Sequence, residues 1–297
     1  MEPSLSTVAV IGTGRMGGAM AATISRAGFD VVLWNRDTTK AERLGEALGV
    51  PVATSPAEAA SKAGVVLSSL ADDAAVEGVY LGPNGVVQGI DPAAVAIDAS
   101  TIDPRTAEKV GQAVDEAGAG FLDCPVSGSV SAVESGTLTI MAGGDPQLLE
   151  RVMPVLDALA SRVVHVGGRG AGSATKLAVN NLVLGLNVAL SEALVLAERA
   201  GVDRSTAYEV FSSGAGGAPF VKYKRAAYED PEGTPVAFSL DLVAKDLELI
   251  TGLAERVEAP MRQATTTLDI VRSAIANGFG ERDLSAIAVF LRGGGAR

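Results

Sequence analysis

Cysteine and histidine are all but missing from this 297-residue sequence, in which Cys124 and His165 stand alone. A single thiol forms no intramolecular disulfide, and one thiol with one imidazole cannot build a structural zinc site, so no metal is expected. Positive charge is also short. Lys and Arg number 24 against 35 Asp and Glu, a net charge of −11 that repels a phosphate backbone, so no nucleic-acid partner is expected. The opening stretch MEPSLSTVAVIG has neither the basic n-region nor the long apolar core of a secretory signal, and no apolar run is read as reaching bilayer-spanning length. No membrane association follows, and the cytoplasm is the expected location. There is no internal repeat of solenoid period.

What is present suits a soluble globular chain: 47% of the residues are hydrophobic and 20% charged, too apolar for disorder. The length exceeds what one hydrophobic core usually holds, so two domains are expected. Up to about residue 165 the short runs VAVIG, VVLW, VVLSSL, AVAIDAS, FLDCPV, LTIMAGG and VVHVG alternate with helical stretches. Strands covered on both faces become continuous apolar runs, so this alternation reads as βαβ units around a parallel sheet. Ser55-Pro56-Ala57-Glu58 has the form of a capping box, Asp103-Pro104 of a second cap, and Asp72 with Asp73 of a third. From Gly172 the strand runs stop, and LAVNNLVLGLNVALSEALVLAERA is apolar nearly all round for over six turns. A helix apolar on every side is to be buried on every side, by its own domain, its neighbour or a second chain. Helical patterns resume at Arg204, Phe238 and Pro260, and the terminal GGGAR reads as a frayed tail. The expected architecture is therefore an α/β Rossmann-type domain with a mostly parallel sheet over 1–168, then an all-α domain over 169–297. An interdomain helix at about 172–200 joins them.

The first strand runs into Gly12-Thr13-Gly14-Arg15-Met16-Gly17 and then a helix. In such a turn the first glycine permits the tight bend, the second lets backbone approach a pyrophosphate, and the third allows helix to pack on strand. Taken alone the pattern is weak, but here a second strand follows at βαβ spacing. That strand ends in Asn35-Arg36-Asp37-Thr38-Thr39-Lys40. An NAD site places an acid there for the ribose 2′-hydroxyl, whereas an uncharged Asn35 with Arg36, Thr38 and Lys40 suits a 2′-phosphate. NADP(H) is thus expected over NAD(H), against the plainer reading of a solvated helix start. Ser69, Leu70, Ala71 and Thr101 fall at later strand ends, where open α/β sheets bind ligands. Ser127, Gly128 and Ser129 form a small-residue loop able to turn N–H and hydroxyl donors onto a carboxylate, though a hairpin or helix cap would use the same residues. Cys124 reads as a small buried hydrophobe and His165 as a packed or surface residue.

Together, GTGRMG at 12–17, DCPVSGSVSAVESGTLTIMAGG from 123, GAGSATKLAVNN from 170, KDL at 245–247 and GFGERDLSAI from 278 resemble the β-hydroxyacid dehydrogenases over essentially the whole chain. That family includes 3-hydroxyisobutyrate dehydrogenases and tartronate or glyoxylate/succinic semialdehyde reductases. The resemblance implies that Lys176 is the proton donor and acceptor for the substrate oxygen, with Asn180 holding the same group. It further implies that Ser127 and Gly128 bind the carboxylate with Ser129 and Asn181 nearby, that Lys245 reaches the nicotinamide, and that the chain forms homodimers or homotetramers. The residues support the pairing independently, because positions i and i+4 share a helix face. Hydride delivery to a carbonyl leaves charge on oxygen, which a nearby ammonium stabilises and neutralises, and burial beside an apolar nicotinamide brings a lysine towards working pH. The competing view of Lys176 is a lysine snorkelling to solvent at a helix start. Ser129 stands where many relatives have a second glycine, and Ala71 where a proline is frequent. Two other functions use the same scaffold: imine reduction, whose enzymes typically replace the lysine, and non-catalytic dinucleotide binding, known in relatives that have lost it.

Overall fold

In the computed structural model, which describes residues 5–295, the chain divides into two compact units, residues 1–176 and 177–297. Of the tail expected to fray, Ala296 and Arg297 lie outside the described residues.

The first unit is built on one eight-stranded sheet: β1 (Thr7–Ile11), β2 (Asp30–Trp34), β3 (Val65–Ser68), β4 (Val95–Asp98), β5 (Gly120–Asp123), β6 (Val126–Ser127), β7 (Leu138–Gly143) and β8 (Ala160–Gly167). The order is β2-β1-β3-β4-β5-β7-β6, with β8 also on β7. Strands β2, β1, β3, β4 and β5 are parallel, while β7 runs antiparallel to β5 and β6 and parallel to β8. The helices between the strands are α1 (Arg15–Arg26), α2 (Thr38–Leu48), α3 (Pro56–Ser61), α4 (Asp73–Leu81), α5 (Pro104–Glu116), α6 (Val130–Glu134) and α7 (Pro146–Asp157).

Pleating divides the apolar runs between two cores. Val8, Val10, Leu33, Leu67, Ile97 and Leu122 lie in one cluster, and Ala9, Ile11, Val32, Val66, Ala96 and Phe121 in the other. Each fully buried Val, Leu or Ile contributes about 1.5–3 kcal/mol of apolar transfer, so both faces must be covered, as in a Rossmann-type layer structure. Register then aligns the strand ends: Ile11 is level with Trp34 and Ser68, Ser68 with Asp98, and Asp98 with Asp123. Every loop leaving a parallel strand therefore emerges along one carboxyl edge.

The caps fall where local spacing placed them. Ser55 Oγ accepts from the Glu58 amide, Asp72 from Ala75 and Asp103 from Arg105. The Glu58 carboxylate reaches the Thr54 amide at 2.7 Å, so the return half of the capping box sits one residue earlier than the motif specifies.

The second unit is helical: the rest of α8 (Ala171–Arg199), then α9 (Arg204–Ser213), α10 (Pro219–Tyr223), α11 (Arg225–Glu229), α12 (Leu240–Arg256), α13 (Arg262–Ala274) and α14 (Ile287–Arg292). Its core gathers Leu184, Val188, Leu194, Tyr208, Tyr228, Leu247 and Ile287. A buried ion pair crosses it, Lys224 Nζ lying 2.7 and 2.8 Å from the Asp283 carboxylate, which also accepts from the amides of Ala237, Phe238 and Ser285. Those donors hold the Asp283 carboxyl below its ordinary range against the opposing effect of burial.

One expectation about α8 is corrected. At 29 residues it is long and apolar enough to cross a bilayer by length and composition, although no such segment was expected. Its own chain buries Leu177, Leu184, Val188, Leu190 and Leu194 in the core and leaves Leu182 and Leu196 each 72% exposed, so of the covers the sequence allowed only a second chain remains for those two. Two helical repeats of seven separate those two leucines, which places them on one stripe.

Candidate active site

The glycine turn is shaped by its own backbone at two of its three glycines. Gly12 has φ +93°, and a Cβ there would lie 2.4 Å from the Ser69 carbonyl oxygen; at Gly17 it would lie 1.9 Å from that of Gly12. Gly14 differs. Its φ of −67° and ψ of −170° suit any residue, and a Cβ on it would meet no heavy atom within 4 Å. Neither conformation nor packing within the chain demands glycine at 14, and the space beside it is open. Gly14 is also the N-cap of α1, makes no side-chain cap bond, and begins a first turn without acidic residues, so the leading amides of the helix are available to an anion. Thr13 Oγ1 is buried beside them with no partner. These groups could hold a dinucleotide pyrophosphate. Arg15, exposed, opens α1, and Met16 packs partly against the sheet core.

Asn35 couples this turn to the end of β2: its Oδ1 accepts from the Thr13 amide at 3.0 Å and its Nδ2 donates to the Asp37 carbonyl at 2.9 Å. An aspartate could take the first bond but not give the second. Arg36, Thr38 and Lys40 are exposed at this corner, where Thr38 begins α2, and Lys40 Nζ stands 3.8 Å from the Asp37 carboxylate. Leu70 and Thr101 are half-buried on adjacent strand ends and Ala71 is exposed. Ser69 donates its amide to Ile11 and Leu70 to Ser100 Oγ, which seats both residues under the glycine turn.

Farther along the carboxyl edge, β6 ends in the loop of Ser127, Gly128 and Ser129. Gly128 has φ +143°, in the region that favours glycine. Ser129, with φ −93° and ψ 175°, needs no glycine, so its departure from the family pattern leaves the backbone donors unchanged and adds a hydroxyl, 2.7 Å from that of Ser131. Cys124, just upstream, is buried and its thiol is pushed well up by desolvation and the neighbouring Asp123 and Asp98. His165 Nε2 lies 2.9 Å from the Gly144 carbonyl.

The first turn of α8 is seated on the same edge by a residue that sequence reasoning passed over. Asp123, ending β5, is buried and accepts from the Gly170 amide at 2.9 Å and the Ser173 amide at 2.8 Å. Burial raises its carboxyl, and the two amides oppose that rise. Lys176 follows Ser173 by three residues, and Asn180 and Asn181 by a further turn. Asn180 is buried, with Nδ2 donating to Asp246 Oδ2 at 2.5 Å; Lys245 Nζ is 2.7 Å from Asp246 Oδ1. Asn181 is half-buried with Oδ1 sealed from solvent. Asp246 was visible only as the middle letter of KDL; its role of fixing Asn180 on α8 and pairing with Lys245 depends on packing between α8 and α12.

A Rossmann-type sheet with a dinucleotide cradle and a polar helix start on one edge defines an NAD(P)-binding fold. Residues 7–167 match the family model for the NAD binding domain of 6-phosphogluconate dehydrogenase, and residues 170–291 that for the NAD-binding region of NADP-dependent 3-hydroxyisobutyrate dehydrogenase. The chain is 34% identical to glyoxylate/succinic semialdehyde reductase 1 of Arabidopsis thaliana, covering 94% of this chain and 96% of that one. It is 32% identical to the NAD-dependent L-serine dehydrogenase of Pseudomonas aeruginosa, covering 95% and 97%. Among solved structures it is similar to Mycobacterium tuberculosis 3-hydroxyisobutyrate dehydrogenase with L-serine, at TM-score 0.85 and 31% identity over 97% of this chain and 100% of that one. The chain belongs to the β-hydroxyacid dehydrogenase family, and is an NAD(P)-dependent oxidoreductase of the 3-hydroxyisobutyrate dehydrogenase type.

Proposed function

We propose that this enzyme interconverts a small 3-hydroxy acid with its semialdehyde, or reduces a small 2-oxo acid, using NADP(H) in preference to NAD(H), with Lys176 as general acid and base. The observation that carries the reading is the seating of α8: the Asp123 bonds to Gly170 and Ser173 set the turn that leads to Lys176 on the edge from which the cofactor and carboxylate loops emerge. The nicotinamide supplies or accepts the hydride. Lys176 stabilises charge on the substrate oxygen and exchanges its proton with it, Asn180, held by Asp246, orients that oxygen, and Lys245 reaches the nicotinamide side. The Ser127, Gly128 and Ser129 loop, with Asn181, takes the carboxylate. We assign the cofactor domain to 1–168 and the substrate and oligomerisation domain to 169–297, which the gap between the matched regions at 167 and 170 supports.

The preference for NADP(H) rests on Arg36, Thr38 and the amino end of α2 sharing one corner without an acid at Asn35. Arg36→Ala is expected to lower kcat/KM with NADPH by about tenfold or more, since a charge-assisted bond contributes about 1.5–3 kcal/mol, and to leave NADH turnover within about twofold. Equal losses with both cofactors in parallel steady-state assays would reject this assignment.

The activity itself is tested by NADPH oxidation with glyoxylate, succinic semialdehyde, methylmalonate semialdehyde, tartronate semialdehyde and cyclic imines. Turnover of an oxo or semialdehyde acid is expected. Turnover of imines alone would replace the reading with imine reduction, and binding of NADPH with no turnover would leave a dinucleotide-binding scaffold.

The exposed stripe of Leu182 and Leu196 on α8 supports a homodimer or homotetramer in which a second copy covers it. The double substitution Leu182→Glu, Leu196→Glu is expected to shift the mass measured by light scattering towards the monomer. An unchanged mass would place the interface elsewhere.

A further inference from the structure

Beneath the cofactor cradle lies a buried carboxyl that the mechanism above does not use. Asp98, the last residue of β4, is 1% exposed. Its Oδ1 accepts from Ser68 Oγ at 2.6 Å and from Ser100 Oγ at 2.8 Å, while its Oδ2 is buried without a partner. Both serine protons are thereby directed at Asp98. Ser100 Oγ is left to accept from the Leu70 amide at 2.9 Å, and Ser68 Oγ from the Tyr80 hydroxyl at 2.9 Å. Leu70 adjoins Ser69, whose carbonyl oxygen is the atom that a side chain at Gly12 would strike. A continuous chain of contacts thus runs from Asp98 through Ser100 to Leu70 and Ser69, against which the glycine turn closes.

We propose that Asp98 is a positioning residue for the dinucleotide: through Ser100 it fixes the Ser69-Leu70 strand end and with it the glycine turn that receives the cofactor. This goes one step deeper into the cofactor site of the proposed reaction, and rests on that site. A buried acid is an expensive way to join strands: asparagine would accept the same two hydroxyl bonds without a charge, at the cost of two amide protons left without an acceptor where Oδ2 lies. The charge is what differs, because a hydroxyl bond to a carboxylate is roughly twice as strong as one to an amide oxygen. The titratable groups around it are Tyr80 from α4, Asp123 from β5 and Cys124 just beyond, whose amide donates to the Asp98 carbonyl at 2.7 Å. Desolvation, opposed by the two serines and reinforced by Asp123, raises the Asp98 carboxyl to about 6.

The sign of the linkage separates positioning from mere support. A carboxyl raised from 3.8 to about 6 on folding contributes stability fully below the lower value and loses it as pH rises through the upper one. Asp98→Asn has no such loss, so its Tm deficit relative to wild type is expected to be smaller at about pH 8 than at about pH 5, while at about pH 8 it binds NADPH about fivefold to tenfold more weakly. At about pH 5, below the raised value, folded Asp98 is largely protonated and no longer differs in charge from asparagine, so the two affinities are expected to agree within about twofold. Titration of the cofactor's own 2′-phosphate near the same pH is common to both proteins and cancels in their ratio. Ser100→Ala, which keeps the acid but removes the acceptor of the Leu70 amide, is expected to reproduce the loss at about pH 8, and decides the matter if the asparagine variant does not fold. The measurements are fluorescence titrations of NADPH on the full chain, with melting curves at each pH. Equal affinities at both pH values, a loss of the same size at both, a Tm deficit at about pH 8 as large as or larger than at about pH 5, or a Ser100→Ala protein that binds like wild type would each overturn the proposal. A wild type that binds neither NADPH nor NADH would overturn the cofactor site itself, which distinguishes that failure from this one.

Discussion

Lys176→Ala is expected to lower kcat by about 10²–10⁴-fold while the Kd for NADPH stays within about twofold. The magnitude is that of a positioned proton donor, and the split follows from the role proposed for the side chain. An ammonium beside the substrate oxygen interacts more strongly as charge grows there, so its loss falls on the transition state and barely on the bound cofactor. Lys176→Arg keeps the charge but holds its proton too tightly to give it up, and is expected to recover little of the rate. The check is single-turnover NADPH oxidation beside a fluorescence titration. A kcat within about fivefold of wild type would remove Lys176 from the chemistry.

The second large effect separates two glycines three residues apart. Gly14→Ala is expected to weaken NADPH binding by about tenfold to a hundredfold with a Tm within a few degrees of wild type, because the new methyl enters space that only a ligand would fill. Gly17→Ala is expected to destabilise the apoprotein by about 3 kcal/mol or more, because its methyl would meet the Gly12 carbonyl at 1.9 Å, closer than any relaxed contact allows. Melting curves without cofactor and titrations with it distinguish the two. If Gly14→Ala binds normally, the cradle is not where the pyrophosphate lies.

The features legible in the sequence are those with local causes. The glycine turn, the caps at Ser55, Asp72 and Asp103, and the strand runs all follow from spacings of a few residues, and each occupies its expected place. What escaped depends on register between distant segments. Asp123 meets Gly170 across 47 positions, Asn180 meets Asp246 across 66, and Ser68 meets Asp98 across 30; no local pattern marks a carboxylate whose partner is set by strand alignment or helix packing. Asn35 shows the limit from the other side. Its identity pointed to the cofactor, but its amide is engaged in splicing the Thr13 amide to the Asp37 carbonyl, a task for which only its two-sided hydrogen bonding suits it. The apolar circumference of α8 was likewise plain in the letters, whereas which side its own chain covers was not.

The boundary between the two units lies at 176/177, within α8 and with no connecting loop. A rotation of one helical position is about 100°, so inserting or deleting a single residue there would swing every downstream side chain of the helix round its axis. Any chimera that trades the helical half for a relative's must therefore be spliced in helical phase.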